Sequence, residues 1–420
     1  MDVYRIQGGR VLQGETRIYG AKNAALPILA ASLMVRGVTR LHDVPNLQDV
    51  QVMLEILQRL GARAEWIEPG TVEIDATNVS STDVPEDLMQ RMRSSIFLMG
   101  PLLARFGDVR LSKPGGCVIG QRPIDYHLRG IRQLGAKVEE QHGFIRCTSH
   151  RLYGNLLSLD FPSVGATENL MMAAALADGE TIIENAAREP EIVDLARFLN
   201  ACGAKIRGAG EHRIVISGVH HLHDGEHTVI PDRIVTGTLL MAAAITGGEV
   251  VLRNADANHL LAVLGKLQES GLRVYSEHDI ITCKRADAIR PVDMRTEPYP
   301  GFPTDLQAPF MSMLTLAKGT SILRENVFEA RFKHVDELLR MGADIRVDMR
   351  TAVIRGVSRL SGATVEASDL RGGAALVVAA LAAEGETEIR GLRHIDRGYE
   401  SLHQQLAQLG ASIERLELNC

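Results

Sequence analysis

Leu338-Leu-Arg-Met-Gly342-Ala-Asp-Ile345 runs from helically spaced apolar residues through a glycine into apolar and polar alternation, and the phrase occurs six times along the chain. The other copies are Leu57-Gln-Arg-Leu-Gly61-Ala-Arg-Ala-Glu65, Ile131-Arg-Gln-Leu-Gly135-Ala-Lys-Val138, Phe198-Leu-Asn-Ala-Cys-Gly203-Ala-Lys-Ile206, Leu267-Gln-Glu-Ser-Gly271-Leu-Arg-Val274 and Leu406-Ala-Gln-Leu-Gly410-Ala-Ser-Ile413. Glycine just past a helix is the usual left-handed cap, and alternation directly after it marks a half-buried strand. Each unit therefore reads helix, glycine stop, strand. The glycines are 68 to 74 residues apart, which makes this an internal repeat covering the whole chain.

Between these phrases lie six stretches rich in alanine and apolar almost all round: Ala24 to Met34, Ser94 to Ala104, Ala166 to Ala177, Thr236 to Ile245, Leu306 to Ala317 and Gly373 to Ala383. A helix with no polar face belongs inside a domain. The predicted fold is α/β: two domains of three repeats each, with buried helices within and sheets outside. Its 420 residues also exceed what one hydrophobic core usually serves. Residues 1–21 precede the first buried helix and could pair with either half. The division adopted is 22–230 for the first domain and 1–21 with 231–420 for the second, with Ile230-Pro231-Asp232-Arg233 as the crossover.

Composition excludes several classes. Hydrophobic residues at 45%, charged residues at 23% and a net charge of −6 describe an ordinary globular chain with no basic footprint for nucleic acid. The amino terminus has no signal-peptide pattern, and no apolar run approaches the ~18 residues of a membrane span, so a cytoplasmic protein is expected. Five cysteines, at 117, 147, 202, 283 and 420, show no C-x-x-C spacing, which argues against a disulfide framework and a zinc site.

Polar residues cluster at the starts of the buried helices: Lys22-Asn23, Arg91 to Ser94, Ser163 to Thr167, Asp232-Arg233, Thr304-Asp305 and Asp369 to Arg371. Serine, threonine and aspartate there can be simple caps. Cations are different, because a positive charge at a helix amino terminus opposes the dipole. Lys22, Arg93 and Arg371 thus point to an anionic ligand. The loop Lys113-Pro-Gly-Gly-Cys117-Val-Ile-Gly-Gln-Arg122-Pro123-Ile-Asp125-Tyr126 sets a thiol among glycines and cations, surroundings that favour thiolate reactivity. It lacks the G-K-[ST] ending of a phosphate-binding loop, so ATP chemistry is not indicated.

These residues closely resemble the UDP-N-acetylglucosamine 1-carboxyvinyltransferase family of enolpyruvyl transferases. The resemblance runs through Gly20-Ala-Lys22-Asn23-Ala-Ala-Leu-Pro27, the Pro114 to Pro123 loop, Ser163-Val-Gly-Ala-Thr167, Glu184-Asn-Ala-Ala-Arg188-Glu-Pro-Glu191, Phe302-Pro-Thr-Asp305 and His394-Ile-Asp-Arg397-Gly-Tyr399. It implies two inverted α/β domains with the active site between them. It also implies transfer of the enolpyruvyl group of phosphoenolpyruvate to the 3-hydroxyl of UDP-N-acetylglucosamine by addition and elimination, opening peptidoglycan synthesis.

By the same resemblance Cys117 is the proton donor, able to form an adduct with phosphoenolpyruvate, and Asp305 takes the hydroxyl proton. Lys22, Arg122 and Arg397 match cations around the phosphate, with Arg331 and Arg371 toward the carboxylate and Asn23 nearby. Arg93, Arg122, Pro123, Ile124, Asp125, Tyr126, Ser163, Val164, Asp305 and Val327 match positions at the nucleotide sugar. No metal or organic cofactor is implied. One departure is Phe161-Pro162, where some members carry a lysine two residues before the serine at 163. Two rivals remain: 5-enolpyruvylshikimate-3-phosphate synthase, which shares the architecture but not the cysteine loop, and a non-catalytic repeat scaffold that binds nucleotide sugars.

Overall fold

The computed structural model describes residues 2–113, 124–285 and 288–417. They form two compact units, one of residues 20–113 and 124–230, the other of residues 2–19 and 231–417 with the gap at 286–287. The first break falls two residues earlier than the sequence reading put it. Flanking residues pair within each unit: the Ala21 N–H donates to Ile230 O, and the Asp232 N–H donates to Tyr19 O.

The first unit is built around the helices Lys22–Ala31, Met99–Phe106 and Val164–Ala175. Their apolar residues are buried, and small side chains let backbones meet. A Cβ on Gly100 would lie 2.4 Å from Asn169 O, and the Gly100 N–H donates to the Asn169 side chain at 2.8 Å. Three sheets wall the helices off from water. Two have four strands, Gly225–Thr228, Val38–His42, Thr71–Asp75 and Arg63–Glu68 in one, and Lys205–Arg207, Arg213–Ser217, Glu180–Glu184 and Leu156–Ser158 in the other. The third has the strands Asp108–Ser112, Phe144–Thr148 and Lys137–Gln141.

The second unit repeats the plan around Arg233–Thr246, Gln307–Leu314 and Leu370–Ala382, which pack pairwise against one another. Its last sheet explains where the amino terminus belongs. In the other repeats the strand after the glycine turns back in a hairpin onto its own sheet. In the sixth, Ser412–Glu417 has no such partner, and Asp2–Gln7 lies antiparallel between it and Glu386–Arg390. Gln13–Arg17 likewise adds a parallel strand beside Glu249–Arg253. Residues 2–19 therefore complete the second unit through backbone pairing that no local pattern announces.

The six glycines all have positive φ, from +91° at Gly342 to +103° at Gly61. After five of the six outer helices the glycine N–H bonds three residues back and the next N–H bonds five back, as in Ala343 to Leu338 O, closing the last carbonyls of the helix. The repeated phrase is thus one helix stop used six times. With their 3-10 turns counted, the buried helices begin one to three residues before the apolar stretches suggested. At Ser94 to Ala104 and Leu306 to Ala317 the first turn is 3-10, Arg93–Leu98 and Thr304–Leu306. No helix among the described residues is long and apolar enough to cross a membrane.

A methyl group at Gly342 would touch nothing within 4 Å, so Gly342→Ala isolates the backbone cost. It should destabilise the protein by about 1–2 kcal/mol. Gly265→Ala, exposed inside the helix Leu261–Glu269, should instead stabilise by about 0.5–1 kcal/mol. Thermal unfolding of the two variants beside the parent protein checks the opposite signs.

Candidate active site

In the second unit three sequence-predicted residues come together. Asp305 lies in the 3-10 turn before the helix Gln307–Leu314, and Arg371 in the first turn of Leu370–Ala382, whose N–H groups are capped by Asp369. Arg331 comes from the loop that leads to the helix Val335–Arg340. The Arg331 Nη2 meets Asp305 Oδ1 at 2.6 Å, while Arg371 Nη2 and Nε meet Oδ2 at 2.8 and 3.1 Å. The arginine side chains are 4% and 5% exposed, the aspartate 25%. Two buried cations thus share one anion that reaches solvent.

Arg371 also lies 5.5 Å from the ring centre of Tyr399, whose buried hydroxyl is 3.0 Å from Thr238 Oγ1. Burial raises the Tyr399 hydroxyl above its ordinary pKa, which leaves it neutral. Arg331 Nη1 donates to Thr304 Oγ1 at 2.7 Å, and Arg331 Nε is buried with no partner among the described residues. Val327 sits just before this loop, its N–H held by Glu325. Arg397 follows the short helix Leu392–Ile395 and is partly buried.

In the first unit Lys22 opens its helix buried, and its Nζ lies 2.6 Å from Asp49 Oδ2, itself buried at the start of the helix Gln48–Arg59. Asn23 beside it is exposed. Ser163 caps the helix Val164–Ala175 by accepting the Ala166 N–H. Thr167 in its first turn accepts the Ala187 N–H at 3.0 Å, which docks the Glu184 to Glu191 turn onto that helix. Ile124 precedes the helix Asp125–Gln133, where Asp125 is exposed and the Tyr126 ring lies 5.3 Å from the Arg129 guanidinium. Arg93 opens a 3-10 turn. Cys117, Arg122 and Pro123 lie outside the described residues.

This geometry corrects one step of the sequence argument. Lys22 and Arg371 at helix starts need no bound anion to explain them, because Asp49 and Asp305 already supply the opposing charge. Lys113, expected to bring charge to the cysteine loop, is held by Glu140 at 2.7 Å. Lys22 is paired one to one with Asp49, whereas Arg331 and Arg371 share the single charge of Asp305.

The sequence matches the family profile EPSP synthase (3-phosphoshikimate 1-carboxyvinyltransferase) over residues 6–406. It is 53% identical over 419 residues to UDP-N-acetylglucosamine 1-carboxyvinyltransferase 2 of Caldanaerobacter subterraneus subsp. tengcongensis, covering 99% of this chain and 100% of that one. Its identity to UDP-N-acetylglucosamine 1-carboxyvinyltransferase 1 of Symbiobacterium thermophilum is 54%, over 98% and 95% of the two chains. The chain belongs to the enolpyruvyl transferase family. The solved enolpyruvyl transferase NikO from Streptomyces tendae superposes with a TM-score of 0.90 at 27% identity, over 99% and 98% of the two chains. EPSP synthase from Acinetobacter baumannii, at 20% identity and a TM-score of 0.78, shares the fold.

For an enolpyruvyl transferase the sequence reading found the charged residues but missed those that hold them. Asp49 and Glu325 are buried partners whose neighbourhoods read as ordinary helix and loop. A buried acid opposite a buried cation is a tertiary fact, and spacing carries no signal for it. Among the described residues no group of three or more His, Cys, Asp or Glu side chains is arranged to hold a metal. Cys147, Cys202 and Cys283 are buried, and burial pushes each thiol up to about 12.

Glu168, one turn below Ser163, is fully buried, and neither carboxylate oxygen has a partner among the described residues. Burial, with the charges of Glu191 and Glu189, raises its pKa well above the ordinary value near 4.5. Above that value the unfolded chain releases a proton that the folded chain keeps, so this residue makes stability fall as pH rises. Glu168→Gln should raise the melting temperature at pH 8, by about 2–4 °C for each kcal/mol regained. Near pH 4 the gain should vanish. His334 acts in the other direction: burial lowers it to about 4, and its contribution is lost as pH falls from 6.5 toward that value. Melting curves from pH 4 to 8 test the Glu168 effect.

Proposed function

We propose that the protein transfers the enolpyruvyl group of phosphoenolpyruvate to the 3-hydroxyl of UDP-N-acetylglucosamine, releasing phosphate in the first committed step of peptidoglycan synthesis in the cytoplasm. The observation that carries this reading is the pair of buried guanidinium groups, Arg331 and Arg371, converging on Asp305. Planar guanidinium groups suit a carboxylate. In this reading the phosphoenolpyruvate carboxylate takes over part of what Asp305 now supplies.

The exchange gives Asp305 two successive roles. Without substrate its single charge is shared by two buried cations, which would otherwise be costlier to hold. With phosphoenolpyruvate bound, the substrate carboxylate competes for the arginines, and Asp305 becomes available to the sugar hydroxyl. The Cys117 thiol then protonates the methylene carbon of phosphoenolpyruvate. The 3-hydroxyl oxygen bonds to the adjacent carbon, and its proton passes to Asp305. Return of a methyl proton to the Cys117 thiolate restores the double bond as the carbon–oxygen bond to phosphate breaks and phosphate leaves.

Lys22, Arg122 and Arg397 are assigned to the departing phosphate, where fixed positive charge stabilises the transition state, with Asn23 beside them. Arg93, the run Arg122, Pro123, Ile124, Asp125 and Tyr126, then Ser163, Val164 and Val327 are assigned to the nucleotide sugar. The Ser163 to Val164 helix start supports that assignment, since a helix amino terminus offers N–H groups to a diphosphate.

Phosphate release from phosphoenolpyruvate should require UDP-N-acetylglucosamine. Release driven by shikimate-3-phosphate would establish the sister activity instead, and none with either acceptor would favour a binding scaffold. A small epoxide resembling phosphoenolpyruvate should alkylate Cys117 in the native protein. Mass spectrometry that finds the label on Cys147, Cys202 or Cys283 would refute the assignment, because those thiols are buried and protonated at neutral pH.

A further inference from the structure

Glu325 lies just beyond the strand Thr320–Arg324 and is 1% exposed, yet among the described residues it makes no ion pair within 4 Å. Four neutral donors hold its charge. Oε1 accepts from Thr296 Oγ1 at 2.9 Å and from the N–H groups of Val327 and Phe328 at 2.9 and 3.0 Å, and Oε2 accepts from Thr304 Oγ1 at 2.9 Å. Burying a carboxylate this way is expensive, and loop anchoring alone does not require the charge.

The Thr304 hydroxyl shows what the charge does. A carboxylate only accepts, so Thr304 must spend its single proton on Glu325. Its oxygen is then left to accept, and Arg331 Nη1 donates to it at 2.7 Å. The chain from Arg331 through Thr304 to Glu325 therefore has one possible direction. It fixes the guanidinium plane, so that Nη2 of the same group meets Asp305 at 2.6 Å.

We propose that Glu325 is a positioning residue for the reaction, aiming Arg331 at the substrate carboxylate through the hydroxyl of Thr304. This rests on the reading above that Arg331 receives phosphoenolpyruvate. A neutral glutamine at 325 could not accept all four hydrogen bonds, and its amide could turn the Thr304 hydroxyl around so that Arg331 loses its acceptor.

Steady-state kinetics of Glu325→Gln, Thr304→Val, Thr304→Ser and the Glu325→Gln/Thr304→Val double variant test this. Glu325→Gln and Thr304→Val should each lower kcat/KM for phosphoenolpyruvate by about 10–100-fold, the loss that a small misplacement of a positioning group produces. The KM for UDP-N-acetylglucosamine in Thr304→Val should change by less than about 3-fold, because the Val327 and Phe328 anchors to Glu325 remain. Residues acting in one chain are not additive, so the double variant should fall no more than about 3-fold below the worse single one. Thr304→Ser, which keeps the hydroxyl, should stay within about 3-fold of the parent.

Wild-type kcat/KM for phosphoenolpyruvate in Thr304→Val, or losses that multiply in the double variant, would leave Glu325 as a loop anchor only and overturn the proposal. If Glu325→Gln does not fold, the threonine pair alone decides. A parent protein that releases no phosphate with UDP-N-acetylglucosamine sinks the underlying functional reading. An active parent with an indifferent Thr304→Val sinks only this inference.

Discussion

A helix that is apolar on every face has to be screened from water on every side, and the architecture of each unit follows from meeting that requirement three times. The small side chains of Lys22–Ala31, Val164–Ala175 and Leu370–Ala382 allow close approach but supply no polar surface. The sheets supply it on their outer faces. Polar chemistry then concentrates at the helix ends, and the helix starts hold Lys22 in one unit and Asp305 and Arg371 in the other. The same demand for complete walls explains the wandering amino terminus, since without Asp2–Gln7 the sheet over the last helix would lack a central strand.

Burying cations at helix starts is unfavourable twice over, through desolvation and through the dipole. The protein answers with carboxylates: Asp49 for Lys22, and Asp305 for both Arg331 and Arg371. Within each unit these partners offset buried charge. In the proposed function recognition becomes a competition, in which a ligand must match an acid already in place. Asp305, the most exposed of the three partners in its cluster, is the one able to give way. That makes the stabilising partner and the proposed proton acceptor the same residue.

Buried polar groups elsewhere divide by whether they are satisfied. Glu325 has four hydrogen-bond donors, whereas Glu168 is fully buried with no hydrogen-bond partner among the described residues, and its pKa is raised well above the ordinary value. The donors to Glu325 come from distant strands and turns, such as Thr296 and Thr304.

By itself the sequence determined the repeat, the glycine stops, the buried helices and the identities of the charged residues, because helix periodicity, left-handed glycines and motif spacing are local properties of the chain. Tertiary structure alone decided which unit owns residues 2–19, since that depends on pairing with Glu386–Arg390 and Ser412–Glu417 almost 400 residues away. It decided as well that Lys22 and Arg371 meet carboxylates of their own unit, and that Glu325 reaches Arg331 through one hydroxyl. Charge pairing and hydrogen-bond direction depend on distances in space, which a one-dimensional pattern does not contain.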